Sequence, residues 1–352
     1  MAWTKPLYDR QRVNKAGHAL VDNQITDDEK YREFAVVNNW RSAHGYPLQC
    51  IKMVLKGRAQ KIDSKSIIAQ RLKRFPSIQA KLKRERSMRL TQMQDIGGCR
   101  AVVSNIKQVD QLVKLYQKAT SKNPRGRHIQ AGFKNYIDSP KVDGYRCVHI
   151  IYKYRSGASK HRVYNDLKIE IQVRSKLQHA WATAVEIVDA FTGQALKSGL
   201  KLNLGDPDWR RFFALMGSAI AIREKRPLVP GTPANPADLK RELKHLTRKL
   251  RVVSLLSGLS VGLKAASGIP NASAYLLILN LEAMEISVTP FTKEKMPFAN
   301  EEYLKAEKEA QDKPQVLSVL VAVESIKALR TAYPNYYLDA SAFIDALNKA
   351  IE

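Results

Sequence analysis

The strongest constraint on the fold is a run of strict alternation near the middle of the chain. Lys168-Ile169-Glu170-Ile171-Gln172-Val173-Arg174 reads as a strand, because successive strand side chains point to opposite faces. Ile169, Ile171 and Val173 then share one face, and Lys168, Glu170, Gln172 and Arg174 the other. Upstream, Lys141-Val142-Asp143-Gly144-Tyr145-Arg146-Cys147-Val148-His149 runs into the apolar Ile150-Ile151-Tyr152, so the two stretches form a β-hairpin. A solvated sheet face would alternate in the same way. The glycine turn changes the balance, because it sets Tyr145 and His149 just before the partner strand and so gives a cleft a stacking ring and a polar floor.

The rest of the chain supplies helices and a few further strands, an α+β composition. Residues 1–35 are polar and weakly patterned, and read as an arm or a short helix. Glu33 to Arg58 fits helices broken at Gly45-Tyr46-Pro47, and Ala101-Val102-Val103 is a strand on which a helix from Val109 to Ala119 packs. Leu177 to Ala195 and Trp209 to Arg223 read as helices, and the proline-rich Arg226 to Pro236 as a linker or loop. Asp238 to Lys264 reads as a long helix. Beyond it come two strands, Ala274–Leu279 and Glu285–Val288, then an acidic helix from about Asn300 to Ala310. Val316–Val321 is a third strand or a helix start, and a short amphipathic helix follows Ala340. Three parts are expected: residues 1–225, a connecting linker and helix at 226–270, and a small α+β domain at 271–352.

Charge divides the chain more sharply than its hydropathy does. Residues 51–250 hold 42 Lys and Arg against 15 Asp and Glu, a surplus of 27, whereas residues 251–352 hold 10 against 12. Such a surplus suggests a polyanionic partner whose binding is steered by the field and weakened by salt. No apolar run approaches the roughly 18 residues of a membrane span, and the first residues lack the apolar stretch of a signal peptide. A cytoplasmic protein with no membrane partner is expected. Cys50, Cys99 and Cys147 lie far apart with no Cys-x-x-Cys pair, which suggests free thiols rather than disulfides or a zinc site.

Several of these stretches together resemble the synthetase domain of RelA/SpoT proteins. The resemblance rests on Gly144 to His149, on Glu170 to Arg174, and on His179-Ala180-Trp181-Ala182. It rests also on Asp95-Ile96-Gly97-Gly98-Cys99-Arg100, and on Arg71-Leu72-Lys73 with Ser77-Ile78 and Lys81-Leu82. These motifs stand in the family's order over roughly residues 50 to 195. The resemblance implies a mixed-sheet, nucleotidyltransferase-like fold with flanking helices and an ATP pyrophosphokinase activity. By the same resemblance Asp95 and Glu170 are catalytic and hold Mg2+, while Arg71, Lys73, Ser77, Lys81 and Arg100 bind ATP. Tyr145 stacks on the acceptor's base, and Lys141, Arg146, His149 and Gln172 join it at the acceptor. Asn135 stands where the family often has an acidic residue, and is given no role. The zinc motifs and hydrolase half of the long members are missing, so the chain is similar to a short, synthetase-only member.

Two acceptors remain open at this point. One is GDP or GTP, giving an alarmone; the other, used by toxic short members, is the 3′-terminal adenosine of tRNA, whose modification blocks translation. The basic surplus favours tRNA. The tail, above all Tyr333-Pro334-Asn335-Tyr336, resembles that of the fused toxin-antitoxin CapRel proteins. That resemblance implies a metal-free zinc-finger-like domain in which Tyr333 and Tyr336 cover the ATP site until a phage protein, such as a capsid protein, releases it. A monomer is expected. A catalytically dead RNA-binding module is a third possibility, and retention of both Asp95 and Glu170 speaks against it.

Overall fold

The computed structural model describes residues 3–22, 26–122, 128–192, 206–258, 272–280, 283, 285–310, 316–322 and 340–352. Two compact units emerge: Met1–Asn135 with Cys147–Ser175, and Tyr136–Arg146 with Lys176–Glu352. They cut the chain at 135, 146 and 175 rather than at 225 and 270. Among the described residues no helix is long and apolar enough to cross a membrane.

In the first unit the stretch read as an arm or a short helix holds one helix and the start of a second. α1 (Arg10–Ala19) starts at Asp9, whose carboxylate accepts from the Arg12 amide at 2.8 Å, and α2 (Asp27–Ala43) starts at a Thr26–Glu29 capping box. Their few apolar residues gain meaning only in three dimensions. Val13, Ala16 and Leu20 join Val36, Val37 and Trp40 in one buried cluster, together with Ile78 and Leu82. α3 (Gly45–Ile62), β1 (Ile67–Leu72), α4 (Phe75–Arg84), β2 (Gly97–Val103), α5 (Ile106–Lys122) and β3 (Ile129–Asn135) follow. β4 (Val148–Lys153) and β5 (Lys168–Ser175) are the expected hairpin. Residues 141–147 belong to the turn before it rather than to its first strand.

The five strands lie in the order β1-β2-β5-β4-β3, with β2 parallel to β5 and every other pairing antiparallel. A Cβ added at Gly97 would lie 2.6 Å from Ile169 Cδ1 and 3.6 Å from Leu48 Cβ, so this face of β2 and β5 meets α3. The alternation turns Gly98, Arg100, Glu170, Gln172 and Arg174 to the opposite face. Register then sets side chains in rows across the sheet: Arg71–Gly98–Glu170–Ile151 is one, and Ala69–Arg100–Gln172–His149 the next. That polar face is not solvated as a simple amphipathic strand would be, since Arg100, Glu170 and Arg174 are all buried.

The second unit holds α6 (Lys176–Thr192), α7 (Pro207–Glu224), α8 (Pro236–Lys249), β6 (Ala274–Asn280), β7 (Glu285–Phe291), α9 (Met296–Ala310), β8 (Val316–Ala322) and α10 (Ser341–Ile351). The long helix expected over 238–264 is broken after Lys249, where Arg251 takes a left-handed φ of 47° that helical geometry does not allow, and helical structure resumes over 252–258. Strand β6 is central in a three-stranded antiparallel sheet, β7-β6-β8. Its alternate residues serve two cores: Tyr275 and Leu277 pack with α6, α7 and α8, while Leu276 joins Phe291 and Ala299. Phe343 and Leu347 of α10 enter the same cluster as Trp209, Phe212 and Phe213 of α7. Thus one face of β6 and the helix α10 share a core with the helices before them. Tyr333 and Tyr336 lie outside the described residues.

Candidate active site

In the first unit, Asp95 sits just before β2 with both carboxylate oxygens engaged. Lys73 Nζ donates to one at 2.9 Å and Lys81 Nζ to the other at 3.1 Å. Lys73 follows β1 and Lys81 lies on α4, whose Phe75-Pro76 start suits a helix first turn. The sequence brings them together because the backbone turns at once from strand to helix, with Lys73 N bonded to Ile96 O at 2.7 Å beside the start of β2. Burial opposes the Asp95 charge, but the two ammonium groups outweigh it and draw the carboxyl down to about 2. An ammonium has three donors, so each lysine retains N–H groups for phosphate oxygens.

Glu170 lies on the polar face of β5 in a separate network. His149 Nδ1 is 2.8 Å from Glu170 Oε1, and Gln172 Nε2 donates to Oε2 at 2.7 Å. Arg174 donates in turn to Gln172 Oε1 at 3.1 Å, which fixes the amide's orientation. Burial raises the Glu170 pKa and the Asp95 charge adds to it, yet the His149 bond and charge prevail and hold it below the ordinary carboxylate value. His149 is drained of charge by burial but raised overall, to about 9, by Cys147 and Glu170. The contact therefore favours the charged form of both groups. Both carboxylates are hard oxygen donors, and among the described residues there is no group of three or more His, Cys, Asp or Glu side chains that would cage a metal alone. That donor set suits Mg2+, which commonly takes one or two carboxylates and completes its shell with substrate phosphates and water.

The second unit carries the aromatic cluster. Gly144 has φ of 87°, and a Cβ there would meet Phe213 O at 2.6 Å and Trp181 Cζ2 at 3.1 Å, so only glycine fits this turn. The Gly144 amide donates to Lys141 O at 3.0 Å and the Tyr145 amide to Asp143 Oδ1 at 2.9 Å. Tyr145 is half-buried, edge-on to Tyr136 at 5.9 Å and to Trp181 at 6.4 Å between ring centroids. Lys141 Nζ lies over both tyrosine rings, 4.4 Å from Tyr136 and 5.0 Å from Tyr145. Arg146 is buried, and its guanidinium donates to the carbonyls of Gly217, Ile137 and Pro227. Those bonds tie the 136–146 segment to α7 and the loop after it.

A family model described as "Region found in RelA / SpoT proteins" matches the chain over 70–188. Residues 70–188 are a RelA/SpoT region. With it the chain carries a pyrophosphokinase domain of the synthetase type. No curated protein matches the chain as a whole or in part. Solved structures similar to it include the small alarmone synthetase 1 of Bacillus subtilis bound to its product pppGpp, at 19% identity, 56% of this chain, 94% of that one and a TM-score of 0.40. Others are the small alarmone synthetase 2 of the same organism (20%, 54% and 94%, 0.41) and a GTP pyrophosphokinase family protein from Streptococcus pneumoniae (18%, 57% and 91%, 0.41).

Within the RelA/SpoT region, the sequence-based candidates fall into groups. Lys73, Lys81 and Asp95 form the first, and His149, Glu170 and Gln172 the second. Arg71 is exposed near the end of β1 in the Glu170 row, Arg100 is buried in the Gln172 row, and Ser77 is half-buried in the first turn of α4. Three residues were not singled out from the sequence. Arg174 orients Gln172, Cys147 lies beside His149, and Arg41 Nε donates to Lys73 O at 2.6 Å. Arg41 sits on α2, 32 residues upstream of Lys73, and no local signal marks it.

Proposed function

We propose that this protein is an ATP-dependent pyrophosphokinase whose acceptor is the 3′-hydroxyl of the tRNA 3′-terminal adenosine. The acceptor hydroxyl would give up its proton to water as its oxygen bonds to the β-phosphorus of ATP, the bond from that phosphorus to the α-phosphate oxygen would break, and AMP would leave. The observation that carries the chemistry is the pair of ionised carboxylates, Asp95 between two ammonium groups and Glu170 between His149 and Gln172. Mg2+ held by Asp95 and Glu170 would neutralise charge on the triphosphate. Lys73 and Lys81 would turn their spare donors to phosphate oxygens, with Arg71, Ser77 and Arg100 beside them. A carboxylate kept below its ordinary pKa is a weak base and a good cation ligand, so Glu170 acts chiefly through charge. Tyr145 and Lys141 would receive the acceptor's base and phosphate, while Arg146 keeps their turn in place.

The choice of tRNA rests on charge. A surplus of 27 over residues 51–250 exceeds what a mononucleotide pair requires and suits an RNA stem tracking across the surface. In this reading the protein works in the cytoplasm, where modified tRNA stops translation. The near-neutral tail, with Tyr333 and Tyr336, holds the enzyme inactive until a phage protein binds it, as an antiphage defence. The test is transfer of label from γ-labelled ATP by the full chain and by Tyr333→Ala, offered tRNA, GDP or GTP. Label is expected on tRNA, more strongly with Tyr333→Ala. Label on GDP or GTP and none on tRNA would make it an alarmone synthetase, and equal activity of the two proteins would remove the self-inhibition.

A further inference from the structure

Near the Asp95 end of the five-stranded sheet lies a cleft of roughly 510 Å3 that the site described above does not use. Arg10, Gln94, Ala131, Lys153, Asp166 and Lys168 line it. Lys153 and Lys168 are direct cross-strand partners on β4 and β5, a like-charge pairing that destabilises a sheet unless something offsets it. Arg10 adds a third cation from α1. The carboxylate in the cleft does not balance them, since Asp166 is paired with Arg155 at 2.8 Å. Backbone carbonyls position two of the cations without neutralising them: Arg10 reaches Asp166 O and Lys168 reaches Gln92 O, each at 3.4 Å. Among the described residues, none of the three forms an ion pair.

Register places this cluster relative to the chemistry. Lys153 and Lys168 share the sheet face of Glu170 and lie one row beyond it, about 7 Å along the strands. His149 and Gln172 occupy the next row on the opposite side of Glu170. Gln94 adjoins Asp95 in the chain. A group transferred at Glu170 therefore has the acceptor-facing row on one side and three unneutralised cations on the other.

The geometry points to the Arg10–Lys153–Lys168 cleft as the subsite for the outer phosphate of the pyrophosphoryl group, taking it from ATP and keeping it on the product. This rests on the pyrophosphokinase reading and deepens it. It makes the cleft a donor subsite, selective for a nucleoside triphosphate over the monophosphate that leaves, rather than part of an RNA track.

The test is calorimetry on the full chain in its Tyr333→Ala form with Mg2+ and, in turn, inorganic pyrophosphate, a non-hydrolysable ATP analogue and AMP. Lys153→Gln combined with Lys168→Gln should weaken pyrophosphate and the ATP analogue about ten- to a hundredfold and leave AMP unchanged, since hydrogen bonds to charged groups are the ones lost. Unchanged pyrophosphate affinity overturns the proposal, as does selective loss of tRNA binding with pyrophosphate intact, which would give the cleft to RNA. Should the double variant melt early, Arg10→Gln on its separate helix must show the same selective loss, or the proposal fails. The two readings separate cleanly: pyrophosphate binding in this cleft without transfer sinks the enzyme reading alone, whereas transfer with pyrophosphate affinity indifferent to these cations sinks the subsite alone.

Discussion

Replacing Asp95 by Asn should cost both activity and stability, and the stability cost has a pH signature. The side chain keeps its volume but loses the charge that receives Lys73 at 2.9 Å and Lys81 at 3.1 Å. The carboxyl falls from 3.8 to about 2 in the folded state, and each unit corresponds to about 1.36 kcal/mol. The lost stabilisation is therefore on the order of 2 kcal/mol near neutral pH, which for a unit of this size lowers Tm by roughly 4 to 8 °C. The folded pKa is the lower one, so this stabilisation is fully present above the unfolded value near 4 and is lost as pH falls toward about 2. Urea unfolding of wild type and Asp95→Asn across pH 7 to 3 measures it directly. The gap between the proteins should be constant down to about pH 5 and narrow below pH 4. A gap that is absent at pH 7, or widens on acidification, would refute the clamp. Turnover of the variant should vanish although it remains folded.

Gly144→Ala should destabilise the chain by about 1 to 3 kcal/mol or more and disturb acceptor binding, because it combines a left-handed φ with a Cβ 2.6 Å from Phe213 O; thermal melting checks it, and an unchanged Tm would contradict the turn. Phe343→Ala should cost about 3 to 5 kcal/mol by emptying a fully buried site among Phe212 and Phe213, and denaturant unfolding should show it in the unit carrying α7. A loss under 1 kcal/mol would mean the C-terminal helix does not share that core. Tyr145→Ala should reduce turnover about ten- to a hundredfold or more while Tyr145→Phe keeps much of it, because stacking on a base uses the ring; equal losses would point to the hydroxyl.

The sequence marked the candidate residues more clearly than the scaffold around them. Alternation in β5 and the adjoining glycine turn marked Glu170 and Tyr145, and both stand where a strand face and a tight turn put them. What alternation could not tell is that the polar face of β5 is covered: a chain of bonds from Arg174 through Gln172 to Glu170 links side chains that looked solvent-bound. Arg71 and Lys73 were legible as cations but not as the end of a strand, because β1 reads as a mixed, basic stretch until it pairs with β2. The stretch before Glu33 was ambiguous between arm and helix because each N-terminal helix contributes only a few apolar residues to a core assembled from many segments. Likewise Lys153 and Lys168 lie fifteen residues apart, and only the β4–β5 register makes them one feature.

The central claim is that Asp95 and Glu170 serve transfer of a whole pyrophosphoryl group. The most direct measurement follows the nucleotide products when the full chain, in its Tyr333→Ala form, meets ATP, Mg2+ and tRNA, with Glu170→Gln as the matched control. The account predicts AMP in one-to-one ratio with tRNA carrying two added phosphates at its 3′ end, and neither product with Glu170→Gln. Formation of ADP with a singly phosphorylated acceptor, or undiminished AMP release by Glu170→Gln, would contradict it.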